Sequence, residues 1–257
     1  MITSPQNPKI KIVRALQSRA KSRRKEGAFV VEGVRLFEEV VKAKWRIRFV
    51  LYDHTLSERG MELLGALEDV EIEEVDAALL NAVSDTETSQ GILAVLDDVP
   101  LPIPDSPTFL LIPDRIRDPG NLGTLIRTAA AAGVDAVITP PGTTDAFAPK
   151  VLRAGMGAHF RMPIVSMRWE EIKNQAQGLT VFLAEMQGDV VYTEASLKQA
   201  CALIVGGEAR GASKSARDLT DAEIYIPMKD ETESLNAAVA GAIILFEVAR
   251  QRSSQGQ

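Results

Sequence analysis

The chain has 257 residues, of which 46% are apolar and 25% charged, with one cysteine, two histidines and a formal net charge of −6. That is enough apolar material for one large domain or two modest ones. The lone Cys201 excludes an internal disulfide, and His54 and His159 are too few and too far apart in sequence to build a Cys/His zinc site. No metal is expected. The longest apolar run, residues 237–246, falls short of the roughly 20 residues a membrane-spanning helix needs. The N-terminus lacks the apolar core of a signal peptide. The expectation is a cytoplasmic protein with no membrane partner. Charge is unevenly placed: residues 1–50 hold 13 Lys/Arg against 4 Asp/Glu, and the other 207 hold 16 against 31. A basic head on an acidic body points to an anionic partner at one end.

In chain order, residues 9–24 predict a basic helix and residues 29–31 a short strand. Residues 33–44 predict a helix with Val34, Phe37, Val40 and Val41 on one face. A strand over 47–52, a helix over 56–67, a short strand over 70–75, a short helix over 77–83 and a strand over 91–96 complete a small α/β domain, residues 1–99. Pro100, Pro102, Pro104 and Pro107 then fall within eight residues. Proline fixes φ and cannot donate to a ladder, so residues 100–107 predict an extended linker.

The second domain, residues 108–252, has a more regular rhythm. Strands are predicted over 109–112, 134–138, 163–165, 180–184, 202–205 and 224–226. Helices are predicted over 121–132, ended by Gly133, from 150 to 154, and over 234–250. Short apolar runs alternating with helices predict a mostly parallel sheet with helices on both faces. Cys201 opens one of these apolar runs and reads as a core thiol rather than a nucleophile. The helix over 234–250 is apolar on more than one face, so it predicts burial against a partner surface.

Candidate chemistry gathers in three stretches: NLGTLIRT at 121–128, GGEARG at 206–211, and IPM at 226–228 with ESLN at 233–236. Each places small or polar residues at the end of an apolar run, where ligands bind in open α/β sheets. Asn121 is a plausible helix N-cap, and Gly123 permits close packing. Arg127 sits in an otherwise apolar helix. A buried or half-buried arginine there needs a partner, either an acid such as Glu208 or Asp114, or a phosphate or reacting hydroxyl. GGEARG does not fit the dinucleotide fingerprint, which counts against a dehydrogenase. Ser234 or Asn236 is expected to cap the last helix.

Together the three stretches resemble the signature motifs of the SpoU (TrmH-type) branch of the SPOUT RNA 2′-O-methyltransferases, over about residues 108–250. Residues 1–100, best matched at FVVEG (29–33), are more loosely similar to the L30e-like substrate-binding domain of several rRNA-directed members. The resemblance implies a SPOUT domain closed by a C-terminal trefoil knot, which periodicity alone would not predict. It also implies a homodimer with the active site at the subunit contact, S-adenosylmethionine as cofactor, and RNA as substrate. The extra N-terminal domain favours rRNA over tRNA. Carried over by residue, Arg127 is the group assigned to activating the ribose 2′-hydroxyl, and Asn121 shares its motif. Gly206 and Gly207 bring main chain close to the cofactor. Glu208 is the motif acid, catalytic or a structural partner for an arginine across the dimer. Ile226 and Leu235 contact the cofactor, and Ser234 and Asn236 lie near the reacting groups. Alternatives are a tRNA 2′-O-methyltransferase and a non-catalytic rRNA-binding relative; intact Arg127, Ser234 and Asn236 argue against the latter.

The clustered Lys21, Arg23, Arg24 and Lys25, with Lys9 and Lys11, are the expected RNA-binding residues, giving salt-dependent affinity without sequence choice. The expected chemistry is in-line transfer of methyl to a ribose oxygen, assisted by fixed positive charge or by a base.

Overall fold

The computed structural model describes residues 1–207, 211–229 and 234–253, and the chain divides into two units. The first comprises Met1–Val99 and Phe147–Phe160, the second Pro100–Ala146 and Arg161–Gln257. Up to residue 99 the chain runs α1 (Pro8–Ser18), α2 (Ala20–Glu26), β1 (Ala28–Glu32), α3 (Val34–Lys42), β2 (Ile47–Tyr52), α4 (Glu58–Gly65), β3 (Glu71–Glu74), α5 (Ala77–Val83) and β4 (Ile92–Asp97). Beyond it come β5 (Phe109–Asp114), α6 (Pro119–Ala132), β6 (Ala136–Thr139), α7 (Pro149–Gly155), β7 (Ile164–Ser166), α8 (Trp169–Gln175), β8 (Thr180–Ala184), β9 (Val190–Val191), β10 (Cys201–Gly206), α9 (Lys214–Leu219), β11 (Ala222–Tyr225) and α10 (Ala237–Ser253).

In the first unit the strands form a sheet of order β1-β4-β2-β3, with β4 antiparallel to both neighbours and β3 parallel to β2. Side chains alternate across it. Val30, Leu51, Leu93 and Val95 meet Ile10, Val13 and Leu16 of α1 and Leu80 of α5. Phe29, Val31, Val50 and Ala94 meet Phe37 and Val40 of α3 and Leu64 of α4.

The single basic helix predicted over 9–24 is two helices. The apolar repeat of α1 stops at Leu16, so nothing anchors a further turn, and Arg19 is extended at φ −135°, ψ 116°. Residues 147–160 also depart from the sequence pattern. They follow β6 of the second unit, yet Leu152 and Phe160 join the core of the first. Phe160 meets the Trp45 ring edge-on, with centroids 5.4 Å apart, and Phe147 lies 4.8 Å from Phe29.

The second unit is a seven-stranded sheet of order β7-β6-β5-β10-β8-β11-β9, parallel at every pairing. Leu110, Ile112, Ile138, Leu183 and Ile204 point to one face, against Ile172 and Ala176 of α8 and its end and Ala216 of α9. Val205, on the alternate face, meets α10 at Gly241, where a Cβ would also come within 2.5 Å of Leu125 in α6. Helices therefore cover both faces, as expected. α8, α9 and β9 were not legible in the sequence: α8 and α9 each bury a single side chain, Ile172 and Ala216, and β9 has two residues. Cys201 is buried at the start of β10, and burial pushes its thiol pKa up, in keeping with a core role.

Candidate active site

The parallel strands β8, β10 and β11 end together on one cleft of about 670 Å³. Its walls are Ala184–Gln187 after β8, Val205–Gly207 after β10, and Tyr225, Ile226 and Met228 after β11. Ser234, Leu235 and Asn236, leading into α10, complete it. Open parallel sheets bind ligands at this edge because strand ends leave main-chain groups facing a crevice.

After β10, Gly207 and Gly211 are paired. The Gly211 N–H donates to the Gly207 carbonyl at 3.0 Å. Past it, Ser213 caps α9 through its Oγ, which accepts from Ala216 N–H, and donates its own N–H to Asp114 Oδ2 at 2.5 Å. Asp114 is fully buried at the end of β5, so a carboxylate ties the loop to the neighbouring strand. The glycines are required by this packing. A Cβ at Gly206 would lie 2.7 Å from the Ala212 nitrogen, and one at Gly207 would overlap the Arg115 carbonyl. Glu208, the predicted motif acid, lies outside the described residues.

Asn236 joins two of the motifs. Its Oδ1 accepts from Ala238 and Val239 N–H at 2.9 and 3.3 Å, capping α10, and its Nδ2 donates to Asn121 Oδ1 at 3.0 Å. Asn121 itself is not the N-cap of α6. Asp118 is, with its Oδ1 accepting from the Asn121 N–H at 2.8 Å. Proline at the next position, Pro119, opens the helix, and the cap lies three residues upstream of the expected one.

Arg127 requires a larger correction. It is exposed rather than buried or half-buried, and it does not line the cleft. α6 buries Leu122, Leu125, Ile126 and Ala129, which turns Arg127 and Thr124 outward. Asp114, one expected partner, is occupied by Ser213.

Two of the six basic residues expected on the first unit have internal tasks. Lys9 is ion-paired with Glu71 and Glu73 and lies over the Phe49 ring. Arg23 is buried, and its Nη1 donates to the Leu16 carbonyl at 2.5 Å, closing the end of α1. Lys11, Lys21, Arg24 and Lys25 are exposed. A polar feature of the cleft was missed in the sequence. Arg217 bridges Glu185, on the wall, and Glu223, at 2.5 and 3.1 Å. Glu185 follows directly on a parallel strand, which is the signal that could have found it.

The cleft suits an adenosine-sized cofactor: its volume lies within the range of small-molecule sites, and Ile226, Leu235 and Ile244 are apolar beside the open main chain of Gly206 and Gly207. Among the described residues no group of His, Cys, Asp and Glu is placed to hold a metal, and no helix is long and apolar enough to cross a membrane.

This combination of sheet, cleft and terminal helix is that of a SPOUT methyltransferase. It superposes with a TM-score of 0.89 and 30% identity, over 97% of this chain and 99% of the other, on the SpoU methyltransferase AviRb from Streptomyces viridochromogenes in complex with the cofactor AdoMet. The chain belongs to the SpoU rRNA Methylase family, which it matches over residues 108–246, and residues 7–94 match the MRM3-like substrate binding domain. It is 37% identical to the 23S rRNA (guanosine(2553)-2′-O)-methyltransferase RlmP of Bacillus subtilis (strain 168), over 96% of this chain and 98% of that protein. It is 33% identical to a 23S rRNA (uridine(2479)-2′-O)-methyltransferase of Streptomyces viridochromogenes, over 98% and 93%. The family read from the three motifs is borne out.

Proposed function

We propose that this protein transfers a methyl group from S-adenosylmethionine to a ribose 2′-hydroxyl of rRNA. The observation that carries the reading is the cleft at the ends of β8, β10 and β11, onto which residues of the second and third motifs converge, with the first joined to it through Asn121 and Asn236. Residues 1–99 serve as the RNA substrate-binding domain, 100–107 as the linker and 108–252 as the SPOUT methyltransferase domain, with a C-terminal trefoil knot. The protein acts in the cytoplasm.

Gly206, Gly207, Ile226 and Leu235 would hold the cofactor, largely through main chain. When bound, it supplies a methyl group made electrophilic by the adjacent sulfonium. Ser234, Asn236 and Asn121 orient the reacting ribose at the mouth, with Glu208 as the remaining motif residue. A guanidinium is a poor base, so Arg127 acts as fixed positive charge, on the developing alkoxide or on a neighbouring phosphate, and the hydroxyl proton leaves to solvent. Much of the acceleration comes from holding nucleophile and methyl in line.

Arg127 reaches a cleft in a second copy of the chain. Val239 and Phe246 of α10 are 47% and 51% exposed, with the half-buried Ile243 between them on the same helix face. Such an apolar stripe on a surface helix suits a homodimer. Lys11, Lys21, Arg24 and Lys25 supply the salt-dependent part of RNA binding.

The test is methyl transfer from labelled S-adenosylmethionine to deproteinised rRNA and, separately, to tRNA. Label in rRNA that protects one linkage from alkali, lost by at least about 100-fold in Arg127→Ala with S-adenosylhomocysteine binding unchanged, is the expected result. Label in tRNA alone would favour the tRNA alternative. No label and no S-adenosylhomocysteine binding would overturn the reading.

A further inference from the structure

The described arginines of the second unit fall into two groups. Arg168 is held by Glu171, Arg217 by Glu185 and Glu223, Arg250 by Glu247, and Arg252 by the carbonyls of Thr108 and Gln199. Arg161 is also engaged. The side chains of Arg115, Arg117 and Arg127 have no hydrogen bond or ion pair among the described residues, and all three residues are exposed. These three lie in one short stretch, the loop from β5 into α6 and the helix itself.

The loop is built with care at some cost in conformation. Arg115 has φ +57°, in the left-handed region that side chains with a Cβ avoid. The surroundings pin it there. Its N–H donates to Thr143 Oγ1 at 3.0 Å, and that hydroxyl donates to the Pro113 carbonyl at 2.6 Å. Thr144 N–H donates to the Ile116 carbonyl at 2.9 Å, and Gly207 packs on the Arg115 carbonyl. From 114 to 118 the roles alternate. Asp114 anchors Ser213, Ile116 is buried and Asp118 caps α6, whereas Arg115 and Arg117 face solvent. Strain held by several independent contacts is a mark of function rather than of accident.

We infer that Arg115 and Arg117 form a phosphate-gripping loop that holds the RNA backbone beside the cofactor cleft. The inference rests on the function proposed above and deepens it. Neither arginine lines the cleft, which favours a ligand other than the cofactor; the wall residue Gly207 faces the carbonyl and Cβ of Arg115. Exposed, planar guanidinium groups without an acid are suited to bidentate phosphate contacts. The overall acidity of residues 51–257 makes such a basic stripe the natural landing place on this unit for a polyanion.

The experiment measures binding of deproteinised rRNA against salt concentration for wild type, Arg115→Gly, Arg117→Gln and the double variant. Glycine accepts the positive φ, so Arg115→Gly removes the charge while keeping the loop. The expected result is a log–log salt slope shallower by about 1 for each arginine lost, with S-adenosylhomocysteine affinity and melting temperature unchanged. Arg115→Lys, which keeps the charge, retains the wild-type slope. Unchanged slopes in both single variants, with rRNA methylation by the wild type intact, overturn this inference and leave the proposed function standing. A loss of S-adenosylhomocysteine affinity with an unchanged slope overturns it too, in favour of a cofactor contact. If the wild type neither methylates rRNA nor binds S-adenosylhomocysteine, both readings fall together.

Discussion

In the first unit charged side chains hold chain to chain. Arg23 closes α1, the buried Glu32 accepts from the Asp85 N–H at 2.8 Å and from the Thr86 hydroxyl, and Lys9 sits between Glu71 and Glu73. In the second unit Asp114 does similar work for the loop after β10, yet Arg115, Arg117 and Arg127 are left to solvent. The formal charges point the other way: the basic excess belongs to residues 1–50 and the acidic excess to the rest. Net charge therefore says less about an RNA surface than does the set of charges remaining after the fold has used its own.

The largest expected effect breaks the comparison if it fails. Phe246→Asp places a charge on the exposed apolar stripe of α10. On the proposed homodimer, the expected outcome is a halved mass by light scattering and methyl transfer reduced by at least about 100-fold, because an outward Arg127 would lose the cleft of the second copy. A fully active monomer would mean that Arg127 works within its own chain. Gly207→Ala comes next. Its methyl would overlap the Arg115 carbonyl, an overpacking worth about 1–3 kcal/mol. Calorimetry should show a lower transition for the second unit only, and S-adenosylhomocysteine affinity down by about tenfold as the cleft wall shifts. Equal loss in both transitions would mean that the glycine loop matters to the first unit as well.

The contrast also explains what was legible in the sequence. In a parallel sheet functional loops gather at one edge, so NLGTLIRT, GGEARG and ESLN are readable as one site in the sequence alone, and Asn121 and Asn236 are indeed bonded. The direction of Arg127 was not legible, because an apolar helix gives no sign of which flank faces a neighbour until Leu122, Leu125 and Ile126 are seen to be buried. Nor was the path of 147–160, whose Phe147, Leu152 and Phe160 look like any core residues of the following domain but pack with the first unit. In the basic head, composition could not distinguish Arg23, turned back onto a helix end, from Arg24 beside it, which is exposed.

That pair allows a sharper, smaller test. Arg23→Met leaves the carbonyl ends of α1 without their donor and should lower the stability of the first unit by about 1–3 kcal/mol, with no change in the salt slope of rRNA binding. Arg24→Gln with Lys25→Gln should do the reverse: a slope shallower by about 2, and stability within about 0.5 kcal/mol of wild type. If all three substitutions flatten the slope equally, the distinction between charges that build the fold and charges that meet RNA is lost for this unit.

The smallest effect concerns Lys9. Burial alone would pull its ammonium pKa down, but Glu71 and Glu73 outweigh that and hold it above its usual 10.5, while Lys9 holds the Glu71 carboxyl below its usual 4.5. The signs follow from linkage. A raised lysine stabilises the fold fully below 10.5 and loses that contribution as pH rises beyond it; a depressed carboxylate stabilises above 4.5 and loses it as pH falls further. The melting midpoint of the first unit in wild type, relative to Lys9→Met, should be flat between these limits and decline at both ends. The difference should be no more than a few degrees, since partly exposed ion pairs contribute little. Because Lys9→Met keeps an unbranched stem over Phe49, packing changes move the whole curve, and only the lost ion pairs change its shape. Parallel curves for the two proteins across the range would show that Lys9 does not hold the acids of β3 in solution and is free to serve on the RNA surface after all.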